Sequence, residues 1–507
     1  MQSNYSINYI KNLLTQALAT ITGLLSLFIV VPFLTQDKVL YGIYSICMSL
    51  TIFINYADLG FFSTGQKFSA ECYAKNDIDG EQRIVGFTTF TVLCFSILVS
   101  LCLIPLAVRP DLLITNVQDN SIVARQLITI LICSVPFMII KRIASLVFTI
   151  RVEQYKYNII VLIAQLVKII SILYFFGDNR YYLVEYYLFS QVIDLLSTFL
   201  LTMYMSVKYS YGLDALKCIR FNKVTWNIVK NMAFVSLFTS ITWILYYELD
   251  LLALAKISTP ATIALYSTAF TLLTLSRNYF GIIYNSFSAR YNHYYGLGDS
   301  VKLKEFFSKN IYILFPFVFY PILIFTMLGS YFVTSWAGDE FEYSGTIARV
   351  LILGGVLTSF SYPSSQYLYS AGKVKTLYWI SCLLPFVFWI GIVSTYSLLG
   401  ILSFALFKSI AQIISATYSF IKACKFQMLN IRIIINKLIK SYSIPTLIII
   451  ICCYFSTNYM HSNKCMYNLV MNISIMFIIF LLGVIISFFT SKCLYEYSVL
   501  FIKKLLR

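Results

Sequence analysis

The chain is 507 residues long, 59% hydrophobic and only 12% charged, with a formal net charge of +17. Soluble domains run at roughly 45–50% apolar and about 25% charged, so too few polar side chains are present to coat one or two such domains. A soluble enzyme, a disordered scaffold and a disulfide-stapled secreted protein are excluded, and a polytopic membrane protein remains.

A helical span needs about 20 predominantly apolar residues to cross a hydrocarbon core of roughly 30 Å. Fourteen such runs are predicted, at 12–34, 42–64, 86–108, 122–140, 157–176, 183–206, 231–253, 262–286, 310–333, 346–369, 376–395, 400–421, 442–458 and 468–490. They are continuous rather than alternating, which excludes a membrane β-barrel. The expected fold class is therefore an all-α polytopic membrane protein with about fourteen transmembrane helices.

The first run is a full-length span with no small-residue cleavage site, so no cleavable signal peptide is expected. It carries a polar and small stripe at alternating 3 and 4 spacing, Asn12, Gln16, Ala19, Gly23 and Ser26. Span 2 ends beside Asp58, span 4 opens at Arg125, span 5 holds Lys168 and span 6 holds Asp194. Span 7 repeats the stripe with Ser236, Ser240, Trp243, Tyr247 and Asp250, next to Glu248. Span 8 carries Ser267, Thr271, Thr274, Asn278, Gly281 and Asn285, with Arg277 beside them. Arg349 lies near the outer end of span 10, where the span opens, and Lys408 in the middle of span 12, whereas spans 13 and 14 show no comparable charge or stripe and read as peripheral.

The connecting segments orient the chain. With the N-terminus inside, 28 of the 38 Lys and Arg fall in inside segments and five in outside ones. This bias puts both termini in the cytoplasm and makes most of the +17 a topology signal facing anionic lipid. The longest outside segment, 109–121, and the longest inside one, 207–230, are too short for a nucleotide-binding domain, and no GxxxxGK[ST] motif occurs. No outer catalytic loop is available for a membrane polymerase or ligase, so transport is expected rather than catalysis. The 12 Cys sit mostly within spans without CxxC or zinc spacing, and His293 and His461 show no ligand spacing. No metal, no cofactor, no catalytic residue and no nucleic-acid partner is expected.

The sequence also repeats itself. Ala124-Arg125-Gln126-Leu127-Ile128 opens span 4, and Ala348-Arg349-Val350-Leu351-Ile352 opens span 10. Phe68-Ser69-Ala70-Glu71 follows span 2, and Phe287-Ser288-Ala289-Arg290 follows span 8. Tyr44-Ser45 matches Tyr266-Ser267, and Pro136 is in step with Pro363. Each match joins span n to span n+6, and six spans restore the same orientation, so two parallel repeats are implied. The expected organisation is an N-lobe at 1–206, a cytoplasmic linker at 207–230, a C-lobe at 231–421, and spans 13–14 with a tail at 422–507, the two lobes rocking for alternating access.

Ionisable groups in hydrocarbon cost several kcal/mol unless they face protein or water, so each is a candidate site. Arg277, Lys168, Lys408, Arg125 and Arg349 form a cationic set suited to phosphate. Asn12, Gln16, Ser240, Thr271, Thr274 and Asn278 are the candidate cavity lining, and Asp194, Glu248 and Asp250 the candidates for ion coupling. Other readings stand beside these: helix packing for the stripes, snorkelling for Arg125 and Arg349, and structural ion pairing for Lys168, Lys408 and Asp194.

Fourteen spans as twelve plus two resembles the polysaccharide-biosynthesis flippases, whose superfamily also holds multidrug and toxic-compound extrusion antiporters and lipid II flippases. Tyr56-Ala57-Asp58-Leu59-Gly60-Phe61 is similar to that family's Asp-Leu-Gly signature. Leu249-Asp250-Leu251-Leu252 with Leu265-Tyr266-Ser267-Thr268-Ala269, and Trp336-Ala337-Gly338-Asp339-Glu340-Phe341, resemble its patterns at spans 7–8 and before span 10. The resemblance implies an O-antigen repeat-unit flippase of the bacterial inner membrane, moving an undecaprenyl-pyrophosphate-linked oligosaccharide to the periplasmic leaflet. Its implied partners are that lipid-linked oligosaccharide, membrane lipids and the polysaccharide polymerase machinery. A cation-coupled drug antiporter and a lipid II flippase share the architecture. Spans 1 and 2 depart from the antiporter pattern by lacking a mid-membrane acid.

Overall fold

A computed structural model describes residues 2–56, 60–75, 77–114, 120–177, 180–209, 218–491 and 494. The described residues are helical almost throughout, as a chain must be that crosses lipid with every backbone amide satisfied internally. The fold is an all-α polytopic membrane architecture, in line with the expectation of about fourteen spans. Eleven helices among the described residues are long and apolar enough to cross a bilayer.

The chain divides into two compact units, Met1–Ala264 and Leu265–Arg507. In the first, α1 (Gln2–Leu34) is followed by a second span in pieces, α2 (Lys38–Ser49), α3 (Thr51–Asn55) and α4 (Phe61–Ala74). Then come α5 (Ile78–Val108), α6 (Ser121–Ile150), α7 (Gln154–Phe176), α8 (Leu183–Tyr209), α9 (Lys223–Tyr247) and the short α10 (Asp250–Ile257). Helix α11 (Pro260–Gly296) begins in this unit and continues into the second. The second unit adds α12 (Ser300–Ala337), α13 (Glu342–Leu353), α14 (Thr358–Ser370), α15 (Val374–Leu399), α16 (Leu402–Gln427), α17 (Ile431–Ser456) and α18 (Met466–Thr490).

Local chemistry explains the helix starts. Asp37, Asp77, Asn222, Asp299 and Asn430 each accept hydrogen bonds from backbone N–H groups of the first turn that follows, the usual remedy for orphan donors. Asp299 also pairs with Lys302, and those backbone and side-chain bonds hold its carboxyl below the usual range. The second predicted span is broken: α4 starts at Gly60, whose φ of 82° suits only a residue without Cβ. Asp58, at this break, lies outside the described residues. The tenth span is also interrupted, by a 3₁₀ turn over Gly354–Leu357. A Cβ on Gly354 would come within 2.7 Å of the Ser409 backbone, so only glycine lets α16 approach here. The Ser409 hydroxyl bonds the Val350 carbonyl beside this turn.

Within the first unit α1 packs on α7, α5 and α6 on each other, and α8 on both α6 and α7. Within the second unit α17 and α18 pack on α12 and on each other, burying Tyr320, Tyr442, Ile449 and Ile479. Spans 13 and 14 make their helix contacts chiefly with α12 and with each other. They carry a buried polar seam, in which the Tyr320 and Ser487 hydroxyls bond at 2.6 Å and the Tyr442 hydroxyl donates to the Tyr312 carbonyl at 2.5 Å. Fully buried Asn472 donates to the Tyr331 and His461 carbonyls and to Ser335 Oγ, and accepts from the His461 N–H. Asn472→Leu is expected to destabilise this unit by about 1–3 kcal/mol, because the partners stay buried without bonds. Thermal unfolding of purified protein checks it, and an unchanged melting temperature would show the seam to be dispensable.

Candidate functional site

The strongest charge cluster of the first unit is built by α6, α7 and α8. Asp194 on α8 accepts from Lys141 Nζ of α6 at 2.7 Å through one oxygen. Its other oxygen accepts from Lys168 Nζ of α7 at 2.5 Å. The three side chains are 19–29% exposed, so water screens the cluster only partly. The neighbouring Arg142 guanidinium lies over the Phe62 ring at 4.6 Å. Lys141, Arg142 and Asp194 line a cavity of about 400 Å³ together with Phe62, Ser134, Tyr157, Gln191 and Thr198. That volume falls within the roughly 300–1,000 Å³ of small-ligand sites. Its lining holds two cations and a single acid, while Lys168 engages the same acid from α7.

The sequence brought Lys168 and Asp194 forward but assigned Lys141 and Arg142 to a loop after residue 140. Helix α6 instead runs on to Ile150, so Lys141 lies nine residues inside its end, about 13 Å along the axis. The missed signal was internal: a Lys-Arg pair followed by eight residues with no Gly, Pro, Asn or Asp.

A second ionic group lies nearer the helix ends. Arg151 and Glu81 pair at 2.7 Å with side chains only 9% and 1% exposed. The Arg151 guanidinium also lies over the rings of Tyr73 and Tyr209, at 5.1 and 4.8 Å. Beside it Glu153 accepts from Lys156 and from the Tyr209 hydroxyl. Burial raises the Glu153 pKa, but these hydrogen bonds outweigh it and hold the carboxyl below its ordinary value. Glu81, Arg151 and Glu153 drew no attention in the sequence because connecting segments normally carry solvated charge.

The remaining expected residues are dispersed. Asn12 is committed to the turn between α6 and α7: it donates to the Val152 carbonyl at 3.1 Å and accepts from the Tyr155 N–H at 2.6 Å. Val152 there has a φ of 57°, which is strained for a β-branched residue and explains why a side chain braces it. Gln16 is exposed on α1 and Ser240 is half-buried on α9. Thr271 and Thr274 return their hydroxyls to carbonyls of their own helix, Ser267 and Phe270, while Asn278 is exposed. The side chains of Ser236 and Asn285 lie outside the described residues.

Among the other cations, exposed Arg125 donates to the Val108 carbonyl at 3.1 Å, and half-buried Arg349 reaches Thr346 at 3.4 Å. Arg277 is half-buried and acts electrostatically on Tyr362, whose ring stacks on Tyr284. Lys408 is 2% exposed, its ammonium between the rings of Phe270 and Phe388 at 4.7 and 5.1 Å. Of the acids, Glu248 is half-buried at the end of α9, and buried Asp250 sits in the first turn of α10, where a helix favours negative charge. The structure therefore joins Lys168 and Asp194 with Lys141, and places Thr271, Thr274, Arg277 and Asn278 along the one helix α11.

Comparison with solved structures identifies the architecture. The chain superposes on an inward-facing multidrug resistance MATE family transporter of the MOP superfamily with a TM-score of 0.64 at 12% identity, covering 80% of this chain and 94% of that one. It superposes on the lipid II flippase MurJ, in an inward closed conformation, with a TM-score of 0.62 at 14% identity, covering 98% of this chain and 100% of that one. A MOP superfamily transporter from Pyrococcus furiosus, described as having a binding pocket of reversed polarity, aligns with a TM-score of 0.53 at 12% identity over 83% of this chain and 94% of that one. No family model and no curated protein sequence matches. At these identities the shared property is the MOP-type fold.

Proposed function

We propose that the chain is a flippase that carries a lipid-linked oligosaccharide with a pyrophosphate headgroup, of the O-antigen repeat-unit kind, from the cytoplasmic to the periplasmic leaflet by alternating access. The observation that supports this reading is the α6–α8 cluster, where Lys141 and Lys168 share one carboxylate, Asp194, and Arg142 joins Lys141 in the cavity wall. A cavity of that sign attracts an anionic headgroup and repels the cationic drugs an extrusion antiporter would take. Coverage of MurJ over its full length, spans 13 and 14 included, supports a flippase with lipid-linked cargo. The same coverage favours a lipid II flippase as the second reading, since lipid II is that neighbour's cargo. Both termini would face the cytoplasm of a bacterial inner membrane, on the strength of the Lys and Arg distribution.

Deleting the gene and analysing surface polysaccharide tests the cargo. Loss of long-chain glycan, with lipid-linked repeat units accumulating on the cytoplasmic face, is expected. Intact glycan with altered drug tolerance would sink the proposal, and a block in peptidoglycan synthesis would select the second reading. In the second unit, Arg277→Ala is expected to cut export several-fold while Arg277→Lys keeps part of it. Unchanged glycan in Arg277→Ala would remove that residue from the mechanism.

A further inference from the structure

The geometry of Asp194 points to a role beyond pairing lysines. One carboxylate accepts from Lys141 with one oxygen and Lys168 with the other, and it borders a cavity large enough for a small polyanion. The carboxylate oxygen on Lys141 occupies the position that an oxygen of a phosphoryl group in the cavity would take. We propose that Asp194 is a resident counter-anion, which a diphosphate displaces from Lys141 on binding and which reclaims that lysine when the diphosphate leaves. This inference rests on the proposed cargo for its biological use, but the exchange itself is a property of the cluster.

Without Asp194 the Lys141 ammonium would face a diphosphate unopposed in a partly water-excluded site, with Lys168 unneutralised behind it, and the ligand would be held too tightly to be passed on. Without the lysines Asp194 would repel it. With both present, the gain from each new phosphate contact is offset by an ion pair that must open. Several features make the exchange local. Lys141 reaches Asp194 from the cavity side, whereas Lys168 holds the second oxygen from α7 and does not line the cavity. Asp194 therefore keeps one partner while it gives up the other. Arg142 sits with its guanidinium carbon 4.6 Å from the centre of the Phe62 ring, a contact that anchors it at the cavity wall. It supplies the second cation of the cavity wall, so that a diphosphate meets Lys141 and Arg142 together.

Isothermal titration of the purified full-length chain with inorganic pyrophosphate, and separately with farnesyl diphosphate, tests the proposal at fixed ionic strength. Wild-type protein is expected to bind both, because the diphosphate and not the tail is recognised here. Binding of farnesyl diphosphate alone would overturn headgroup exchange in favour of tail recognition. Asp194→Asn is expected to bind pyrophosphate about tenfold more tightly, the effect of removing one competing charge at an intermediate effective dielectric. Its export turnover is expected to fall, because release slows. Unchanged or weaker binding by folded Asp194→Asn overturns the proposal.

Since Asp194→Asn leaves two lysines in apposition and can unfold the unit, a charge-balanced pair of variants keeps the question open to disproof. Lys168→Met alone leaves Asp194 to Lys141 exclusively and should bind pyrophosphate several-fold more weakly than wild type. Lys168→Met with Asp194→Asn has the net charge of the native cluster and should bind more tightly than Lys168→Met. Equal affinity of these two variants would show that Asp194 does not compete. Failure of the cargo reading stays distinguishable: intact glycan after gene deletion, with Asp194-dependent pyrophosphate binding, rejects the cargo and keeps the counter-anion.

Discussion

Glu81→Ala is expected to be the most damaging single substitution to the fold of the first unit. Its carboxylate is 1% exposed and pairs at 2.7 Å with an Arg151 side chain that is itself 9% exposed. Removing one member of such a pair takes the carboxylate from the other buried charge, which costs about 3–5 kcal/mol. The loss propagates because Arg151 also lies over the rings of Tyr73 on α4 and Tyr209 on α8. The double substitution Glu81→Ala with Arg151→Met removes both charges together and is expected to recover most of the loss, since an apolar replacement of a buried pair is often neutral. Fluorescence-detected size exclusion after a heat challenge reports both. A single variant as heat-stable as wild type, or a double variant no better than the single, contradicts this account.

The largest effect on transport is expected at Lys141 and Arg142. Lys141→Met leaves Asp194 in a one-to-one pair with Lys168, so the fold loses little. The cavity, in contrast, loses half of the cationic wall that faces a headgroup. Export is expected to fall by on the order of tenfold to a hundredfold, the range for one charge-assisted contact to phosphate. Arg142→Met should do the same, and Arg142→Lys should keep part of the activity, since a point charge replaces a two-pronged donor. The informative quantity is glycan exported per molecule of protein in the membrane. Normal export with normal abundance in both Met variants would move the cargo site out of the first unit.

How far the sequence carried these conclusions differs between fold and site. Hydrophobic run length decides the architecture because lipid leaves the backbone one choice, and every expected span has a helix at its place. Breaks inside spans were not legible. The interruption at Gly354–Leu357 depends on how closely Ser409 approaches from α16, which no local pattern encodes. Charged helix ends were misread for a related reason. Lys141 and Arg142 resemble a solvated loop until Asp194, 53 residues away, and the Phe62 ring are brought to them. The stripe on span 1 was found, but its first member, Asn12, serves a turn and not a wall, because polar periodicity does not distinguish water from a polar backbone partner. The seam between α12 and α18 escaped notice because it consists of single Asn, Ser and Tyr residues among apolar neighbours.

The Asn12 contact also bears on how the protein is made. Its acceptor, the Val152 carbonyl, lies 140 residues further along the chain. At a synthesis rate of about 5–20 residues per second, α1 waits roughly 7–28 s for the turn that fixes it. During that interval the Asn12 amide, at the cytoplasmic edge of the first predicted span, has water or lipid headgroups as its partners, so the start of α1 takes its final place only after the turn at 151–155 has been made.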